Sequence, residues 1–245
     1  MTMTLCPICG NPPPPPIAES ISICGFCGHK WRTNTPDAET TVRTIYRDAD
    51  YWRRDKNHQG IDSLEPSDKW KGWVNSRLSL LNSYGLLYKP ATKDISFFEF
   101  GCSEGILLYE LSKLGYDVLG EDVCAITEQS QKVYGITILN DPIETLQVKD
   151  KFDVVMSFHV MEHLVNPRYV LEKVSKFVKP DGRIFLHIPI DDKELSNPDH
   201  YHFFCPLSMT YLMSRHTKIE RFDIQYYRRA NGDINAVGSI IGRIK

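Results

Sequence analysis

The chain has 245 residues, 42% of them hydrophobic and 24% charged, with a formal net charge of -2. That leaves room for one sizeable α/β domain and a small accessory module, and it gives no global field that would gather nucleic acid or an anionic membrane. The apolar windows are broken by charges or prolines short of a membrane span. The opening Met1-Thr2-Met3-Thr4-Leu5-Cys6 lacks both regions of a secretory leader. A cytoplasmic location is therefore expected, where cysteines serve as thiols or metal ligands rather than disulfides.

Residues 1–36 hold four of the seven cysteines and the proline run Pro12 to Pro16, which is a stiff polyproline loop. Cys6-Pro7-Ile8-Cys9-Gly10 and Cys24-Gly25-Phe26-Cys27-Gly28 are two C-x-x-C-G turns with fourteen residues between them. Paired turns at this spacing predict a structural zinc ion held by Cys6, Cys9, Cys24 and Cys27 through four sulfurs, and they resemble a zinc ribbon. A redox C-x-x-C is the competing reading, but it needs only one pair and a thioredoxin-like context. Only Lys30 and Arg32 are basic in this module, which speaks against nucleic acid.

Residues 37–93 read as a helical lid or linker. Tyr46, Tyr51 and Trp52 could fold over a bound cofactor, although ordinary helix packing explains them as well. From Trp73 to Leu87, Val74, Leu78, Leu81 and Gly85 keep helical spacing with Arg77 among them, and Pro90 is expected to stop that helix.

From Asp94 onward strands and helices alternate. Ile95–Phe100 is a strand, and Ile106, Leu107, Leu111 and Leu114 form a helical stripe ended by Gly115. Asp117–Gly120, Ile136–Leu139 and Phe152–Phe158 are strands, with a helix over Ala125–Tyr134. Val170, Leu171, Val174, Phe177 and Val178 mark a core-facing helix, Pro180-Asp181-Gly182 a turn, and Arg183–Ile188 a strand. A helix over Leu207–Ser214 and strands over Lys218–Tyr227 and Ala236–Ile244 close the chain. The order predicts, for residues 94–245, an α/β Rossmann-like doubly wound sheet, seven-stranded and mostly parallel with an antiparallel end.

Open α/β sheets bind ligands at the carboxyl ends of their strands. Gly101 to Gly105 follows the first strand of the α/β region. Glycines there can be purely structural. Gly101-Cys102-Ser103-Glu104-Gly105 also fits G-x-S-x-G, the nucleophile elbow of α/β-hydrolases. That elbow needs several strands before it and a His-Gly-Gly oxyanion segment, and neither is present. The third reading uses more residues. Glu121-Asp122 ends the second strand, where a carboxylate can accept both ribose hydroxyls of a nucleoside, and Asp141 follows the third strand, placed for an adenine amino group.

On these residues the chain resembles the class I S-adenosylmethionine-dependent methyltransferases, in the small-molecule group that includes the ubiquinone-biosynthesis enzymes. The stretch from Asp94 to Ile190 carries the motifs in order: Phe98 to Gly105, Gly115 to Val123, Asn140 to Glu144, Phe152 to Leu164 with its Val160-Met161-Glu162-His163-Leu164 portion, and Lys179 to Arg183. His200-Tyr201-His202-Phe203-Phe204 is similar to a segment leading to the substrate side. The resemblance implies that Glu99, Phe100, Gly101, Cys102, Ser103 and Gly105 surround the methionine and ribose of S-adenosylmethionine. It implies that Glu121, Asp122 and Val123 meet the ribose, that Asp141, Pro142 and Ile143 frame the adenine, and that Ser157, Phe158 and His159 line the floor below the sulfonium.

Methyl transfer needs alignment and exclusion of water, and a base only where the nucleophile carries a tightly held proton. His202, His200, His163 and His159 are the candidates. Structural hydrogen bonding is the competing reading for His163, and a loop position for His200 and His202. A small-molecule acceptor is expected, O-methylation favoured, with a sugar or natural product among the possibilities. Residues 157–160 read Ser-Phe-His-Val, not the Asn/Asp-Pro-Pro-Tyr/Phe tetrad of base-methylating enzymes. The alternatives are an RNA-modifying methyltransferase carrying a zinc ribbon, or an inactive cofactor-binding scaffold.

Overall fold

The computed structural model describes residues 5–12, 20–35, 37, 68–88, 94–124, 127–190, 195, 197–228 and 234–245. The proposed lid residues Tyr46, Tyr51 and Trp52, and Pro13 to Pro16, lie outside these. The chain forms two compact units, Glu39–Met156 and Met1–Ala38 with Ser157–Lys245.

Among the described residues, the Glu39–Met156 unit contains helix α1 (Asp68–Ser83), followed by β3 (Ser96–Phe100), α2 (Ile106–Lys113), β4 (Asp117–Glu121), α3 (Thr127–Tyr134), β5 (Thr137–Leu139) and β6 (Phe152–Phe158), whose last two residues belong to the other unit. Helix α1 ends earlier than Pro90 would place it. Gly85 is left-handed (φ 66°) and the Leu86 amide donates back to the Leu81 carbonyl at 3.0 Å, a glycine-terminated helix end. β3 pairs in parallel with β4 and β6, and β4 with β5. Every residue of β3 is buried, Glu99 among the phenylalanines. α2 covers the strands with buried Ile106, Leu107, Leu108 and Leu111.

The second unit contains the hairpin β1 (Ile21–Ile23) and β2 (Lys30–Arg32), then α4 (Pro167–Ser175), β7 (Val178–Pro189), β8 (His202–Phe203), α5 (Pro206–Ser214), β9 (Thr217–Arg228) and β10 (Ile234–Ile244). Asn166 caps α4 by accepting from the Tyr169 amide at 3.1 Å, with Pro167 at the first helical position. β7 begins before the expected turn at Pro180–Gly182. Left-handed Asp181 (φ 63°) kinks the extended chain there without ending it. β10 runs antiparallel to both β7 and β9.

The strand order of the large sheet is β5-β4-β3-β6-β7-β10-β9, the expected seven-stranded, mostly parallel sheet with an antiparallel end. The order reverses beside β3, where open sheets of this kind place their ligands. A second sheet, β1-β2-β8, joins the N-terminal hairpin to two residues far along the chain. Among the described residues no helix is long and apolar enough to cross a membrane.

Candidate functional site

Three residue groups carry chemistry, one in the first unit and two in the second. The first is the glycine turn after β3. The Gly101 and Cys102 amides both donate to the Glu121 carbonyl, at 2.8 and 3.0 Å, which folds the turn against the end of β4. Gly101, Ser103 and Gly105 all have positive φ, of 69°, 53° and 74°. Such backbone favours glycine, and a serine there costs of order 1 kcal/mol. Ser103 offsets it with two bonds: its amide donates to Asp122 Oδ2 at 2.7 Å and its hydroxyl to Glu104 Oε2 at 2.6 Å. This hydroxyl is thus committed to a carboxylate and, among the described residues, bonds to no histidine, unlike the nucleophile of a hydrolase elbow.

Asp122 Oδ1 also accepts from the Cys124 amide at 2.8 Å. A carboxylate has about four lone-pair sites, so one such group can serve several donors at once. Asn140 braces this end of β4, donating to the carbonyls of Asp122 and Cys124 at 2.8 and 3.1 Å. Glu121 is buried and accepts from the Gly101 amide at 3.3 Å, and burial together with the charge of Asp122 pushes its carboxyl up. Asp141 is exposed after β5, Pro142 half-buried and Ile143 buried, while Val123 is half-buried. Phe100 and Cys102 are buried, so the Phe100 side chain belongs to the core and only its backbone borders the turn.

Glu99 is the least ordinary member. Its side chain is 1% exposed, neither oxygen accepts a hydrogen bond among the described residues, and Arg77 Nη1 faces Oε1 at 3.6 Å. Burial pushes its carboxyl up to about 7 against the pull of Arg77. Arg77 itself lies over the Trp73 ring, 3.2 Å from its centroid. Helical spacing alone gives Arg77 no role. A charged residue on the apolar stripe of an amphipathic helix is the signal that could have found it.

The second group follows β6. Ser157 and Phe158 are buried, Phe158 between Phe185 and His187 at 5.5 Å from each ring. His159 has a left-handed φ of 57° and its amide donates to the His187 carbonyl at 2.9 Å. His187 in turn contacts the Ser239 hydroxyl at 2.7 Å. Glu162 is 1% exposed with no hydrogen bond to either carboxylate oxygen among the described residues, while His159 Nδ1 and His163 Nε2 stand at 3.6 and 3.9 Å. Burial would raise Glu162, but His159, His163 and His200 around it outweigh that and hold it below the usual carboxylate range. His163 Nδ1 meets the Asp199 carbonyl at 2.9 Å, and the His163 and His200 rings lie edge to face, 4.6 Å apart. Single ligand atoms of Glu162, His163 and His200 lie within 4.8 Å of one another.

His202 stands apart from that group. It is 1% exposed, its Nδ1 meets His29 Nε2 at 3.0 Å, and its Nε2 is 3.4 Å from the Val165 carbonyl. Both ring nitrogens are engaged, leaving none for a substrate. Burial also holds His200 and His202 down to about 4. A base works best with a pKa near the operating pH, so neither ring in this state is matched to taking a proton near neutrality.

The third group is the four-cysteine cluster. The Gly10 and Gly28 amides donate to the Cys6 and Cys24 carbonyls, both at 2.9 Å, giving two equivalent turns with left-handed glycines (φ 79° and 69°). Sulfurs of Cys6 and Cys27 lie 3.6 Å apart, and those of Cys9 and Cys24 3.4 Å. Four sulfurs around zinc at about 2.3 Å are separated by roughly 3.8 Å, so the donor set fits a tetrahedral ion with little movement. None of the seven cysteines is in a disulfide.

An open sheet with an acidic glycine turn at its reversal point defines a Rossmann-like α/β fold. The methyltransferase-domain family matches residues 51–236, and the chain belongs to that family. It is 31% identical over 146 residues to the ubiquinone biosynthesis O-methyltransferase of Acinetobacter baumannii (strain AYE), covering 56% of each chain. It is 32% identical over 95 residues to the same-named enzyme of Methylococcus capsulatus, covering 36% of this chain and 40% of that one. The chain thus spans about half the length, or less, of these curated relatives. Its fold is that of N-methyltransferase NodS from Bradyrhizobium japonicum WM9, solved with S-adenosyl-L-homocysteine (TM-score 0.58, 15% identity, 84% of this chain and 97% of that one). Magnesium protoporphyrin IX methyltransferase from Synechocystis PCC 6803, solved with bound S-adenosylmethionine, has the same fold (TM-score 0.58, 16% identity, 85% and 98%).

Proposed function

We propose that the chain transfers a methyl group from S-adenosylmethionine to an oxygen of a small molecule. The observation that carries the cofactor is the acidic glycine turn. Asp122 places a carboxylate just after β4, where the resemblance puts the ribose hydroxyls, and Glu99 is a buried carboxylate without a hydrogen bond among the described residues that a cationic ammonium group would satisfy. Gly101, Ser103 and Gly105 supply backbone against which the cofactor lies, and Asp141, Pro142 and Ile143 frame the adenine. Ser157, Phe158 and His159, at the end of β6, keep the floor role that the resemblance gives them. The sulfonium activates the methyl carbon, and the protein supplies alignment and a dry site. Oxygen as acceptor rests on the two ubiquinone-biosynthesis relatives.

In the second unit, His163 and His200 beside Glu162 are the groups available to an acceptor, and His202 is a positioning residue. The four cysteines hold a structural zinc ion.

Calorimetric titration with S-adenosylmethionine tests the reading. Asp122→Asn removes charged acceptors worth roughly 1.5–3 kcal/mol, which predicts a Kd weaker by about 10- to 100-fold. No binding to the wild type, or equal affinity in the variant, would refute the assignment.

A further inference from the structure

We propose that the outer edge of β9 docks a second copy of this chain, the two β9 strands pairing antiparallel about a two-fold axis at Ile224. The first observation is an open edge. β9 is the last strand in the order of the large sheet and pairs with β10 on one side; among the described residues no strand pairs with its other side. It is 12 residues long, against about 5–6 for an ordinary strand. Such an edge offers a row of backbone donors and acceptors to another chain, and proteins that stay single blunt it with charges or a bulge.

The second observation is that the blunting covers one half alone. The half from Thr217 to Asp223 carries Lys218, Glu220, Arg221 and Asp223, and the register against β10 shifts between Ile241 and Gly242, which leaves Glu220 as the extra residue of a bulge. From Ile224 to Tyr227 there is neither charge nor bulge. Ile224, Tyr226 and Tyr227 are 37%, 71% and 46% exposed. Ile224 and Tyr226 share one face of the strand and Tyr227 takes the other, so apolar groups stand in solvent on both faces. Val237 pairs with Pro189, the last residue of β7, so Tyr226 to Arg228 and Ile234 to Ala236 run past the end of β7 as a hairpin. Two strands by themselves are marginal in water, and pairing with a second copy makes four.

The third observation is self-complementarity, which selects a second copy over an unrelated strand. A two-fold axis normal to the sheet sets each residue against one equally far beyond the axis on the same face. An axis at Asp223 would oppose two carboxylates. An axis at Ile224 sets Ile224 against itself, Phe222 against Tyr226 and Glu220 against Arg228. On the other face it sets Asp223 against Gln225 and Arg221 against Tyr227. Apolar meets apolar and acid meets base, each twice, and no like charges are opposed. Glu220 also holds Arg183 and Arg243, both at 2.8 Å, with Asp181 at 3.9 Å from Arg243, so two anions and two cations stand where Arg228 arrives. The bulge at Glu220 then ends the pairing.

Sedimentation equilibrium of the full chain, at concentrations on the order of 1 to 100 µM, tests this over the range suited to a small interface. The wild type should approach twice the mass of one chain. Ile224→Lys opposes two ammonium groups across the axis, and Tyr226→Lys removes the ring facing Phe222. Each should weaken the dimer by about 10-fold or more, while Ile224→Val keeps it. Both lysines replace exposed residues, and far-UV circular dichroism checks that the sheet persists. Under mild oxidation Ile224→Cys should give a disulfide-linked dimer, and Tyr227→Cys should cross-link no more than the wild type with its seven native cysteines. A wild type that keeps the mass of one chain at about 100 µM overturns the proposal, as it would if the edge served a strand of another protein. A dimer that both lysine variants retain also overturns it, and so does cross-linking no better at 224 than at 227.

Discussion

Replacing Arg77 by methionine should destabilise the protein more at about pH 8 than at about pH 6, and the difference can be worked out from one ion pair. Arg77 faces Glu99 at 3.6 Å. At an effective dielectric of about 20 the attraction is roughly 4–5 kcal/mol, equivalent to about three pKa units on the carboxyl. With Arg77 present, burial places that carboxyl at about 7. In the unfolded chain it ionises near 4.3, its ordinary value of about that size. A carboxyl raised on folding withdraws stability as pH climbs from its unfolded to its folded pKa, after which the loss levels off. In the wild type the loss stops at about 7. In Arg77→Met the folded pKa moves roughly three units higher, so the loss continues at about 1.4 kcal/mol per pH unit. At about pH 6 both proteins keep the proton, and the penalty is that of lost packing alone. At about pH 8 it should be larger by roughly 1.4 kcal/mol. Urea unfolding of both proteins without cofactor measures it. A penalty equal at the two pH values, or larger at the lower one, would show that Arg77 does not hold the Glu99 charge.

Two further outcomes follow from the turn and the ribbon. A Cβ at Gly105 would sit 2.6 Å from Ile136 Cδ1 and 2.9 Å from Ile138 Cδ1, on a backbone with φ of 74°. Gly105→Ala should therefore cost roughly 1–3 kcal/mol in urea unfolding, and a loss below about 0.5 would mean that the turn relaxes freely. Cys24→Ser should remove one zinc per chain by elemental analysis and lower the thermal midpoint, because structural zinc contributes folding energy outright. Unchanged zinc content in this variant would overturn the four-cysteine assignment.

The sheet was legible because its signals are local. Buried strands such as Phe152–Phe158 read as continuous apolar runs, and the stripe of α4 stands out because Asn166 and Pro167 mark where it begins. The glycine turn was legible for the same reason: Gly101, Gly105 and Asp122 each end or follow a strand, and their spacing survives in one dimension. Element ends were less so. The end of α1 is set by a left-handed glycine that competes with a later proline, and Asp181 supplies a kink where the residue types suggest a full turn.

What stayed hidden depends on pairs far apart in sequence. Arg77 and Glu99 come together only once α1 meets β3, and an arginine on the apolar stripe of a helix marks an anomaly without naming its partner. His202 has a partner of the same hidden kind. A histidine beside aromatics suggests chemistry, and its ring meets His29, while Trp31 of β2 pairs in register with it. Arg32 then donates to the carbonyls of His200, Leu195 and Asn197 at 2.9, 2.9 and 3.2 Å. Hydrogen bonds from a charged donor are worth about 1.5–3 kcal/mol each, so this fork fastens the ribbon to the segment bearing His200 more firmly than the short β2–β8 pairing alone. The cysteine module is thus no detachable appendage within its unit. It supplies the edge on which residues 197–203 are built, and composition alone, which marks residues 1–36 as a separate piece, carries no trace of that dependence.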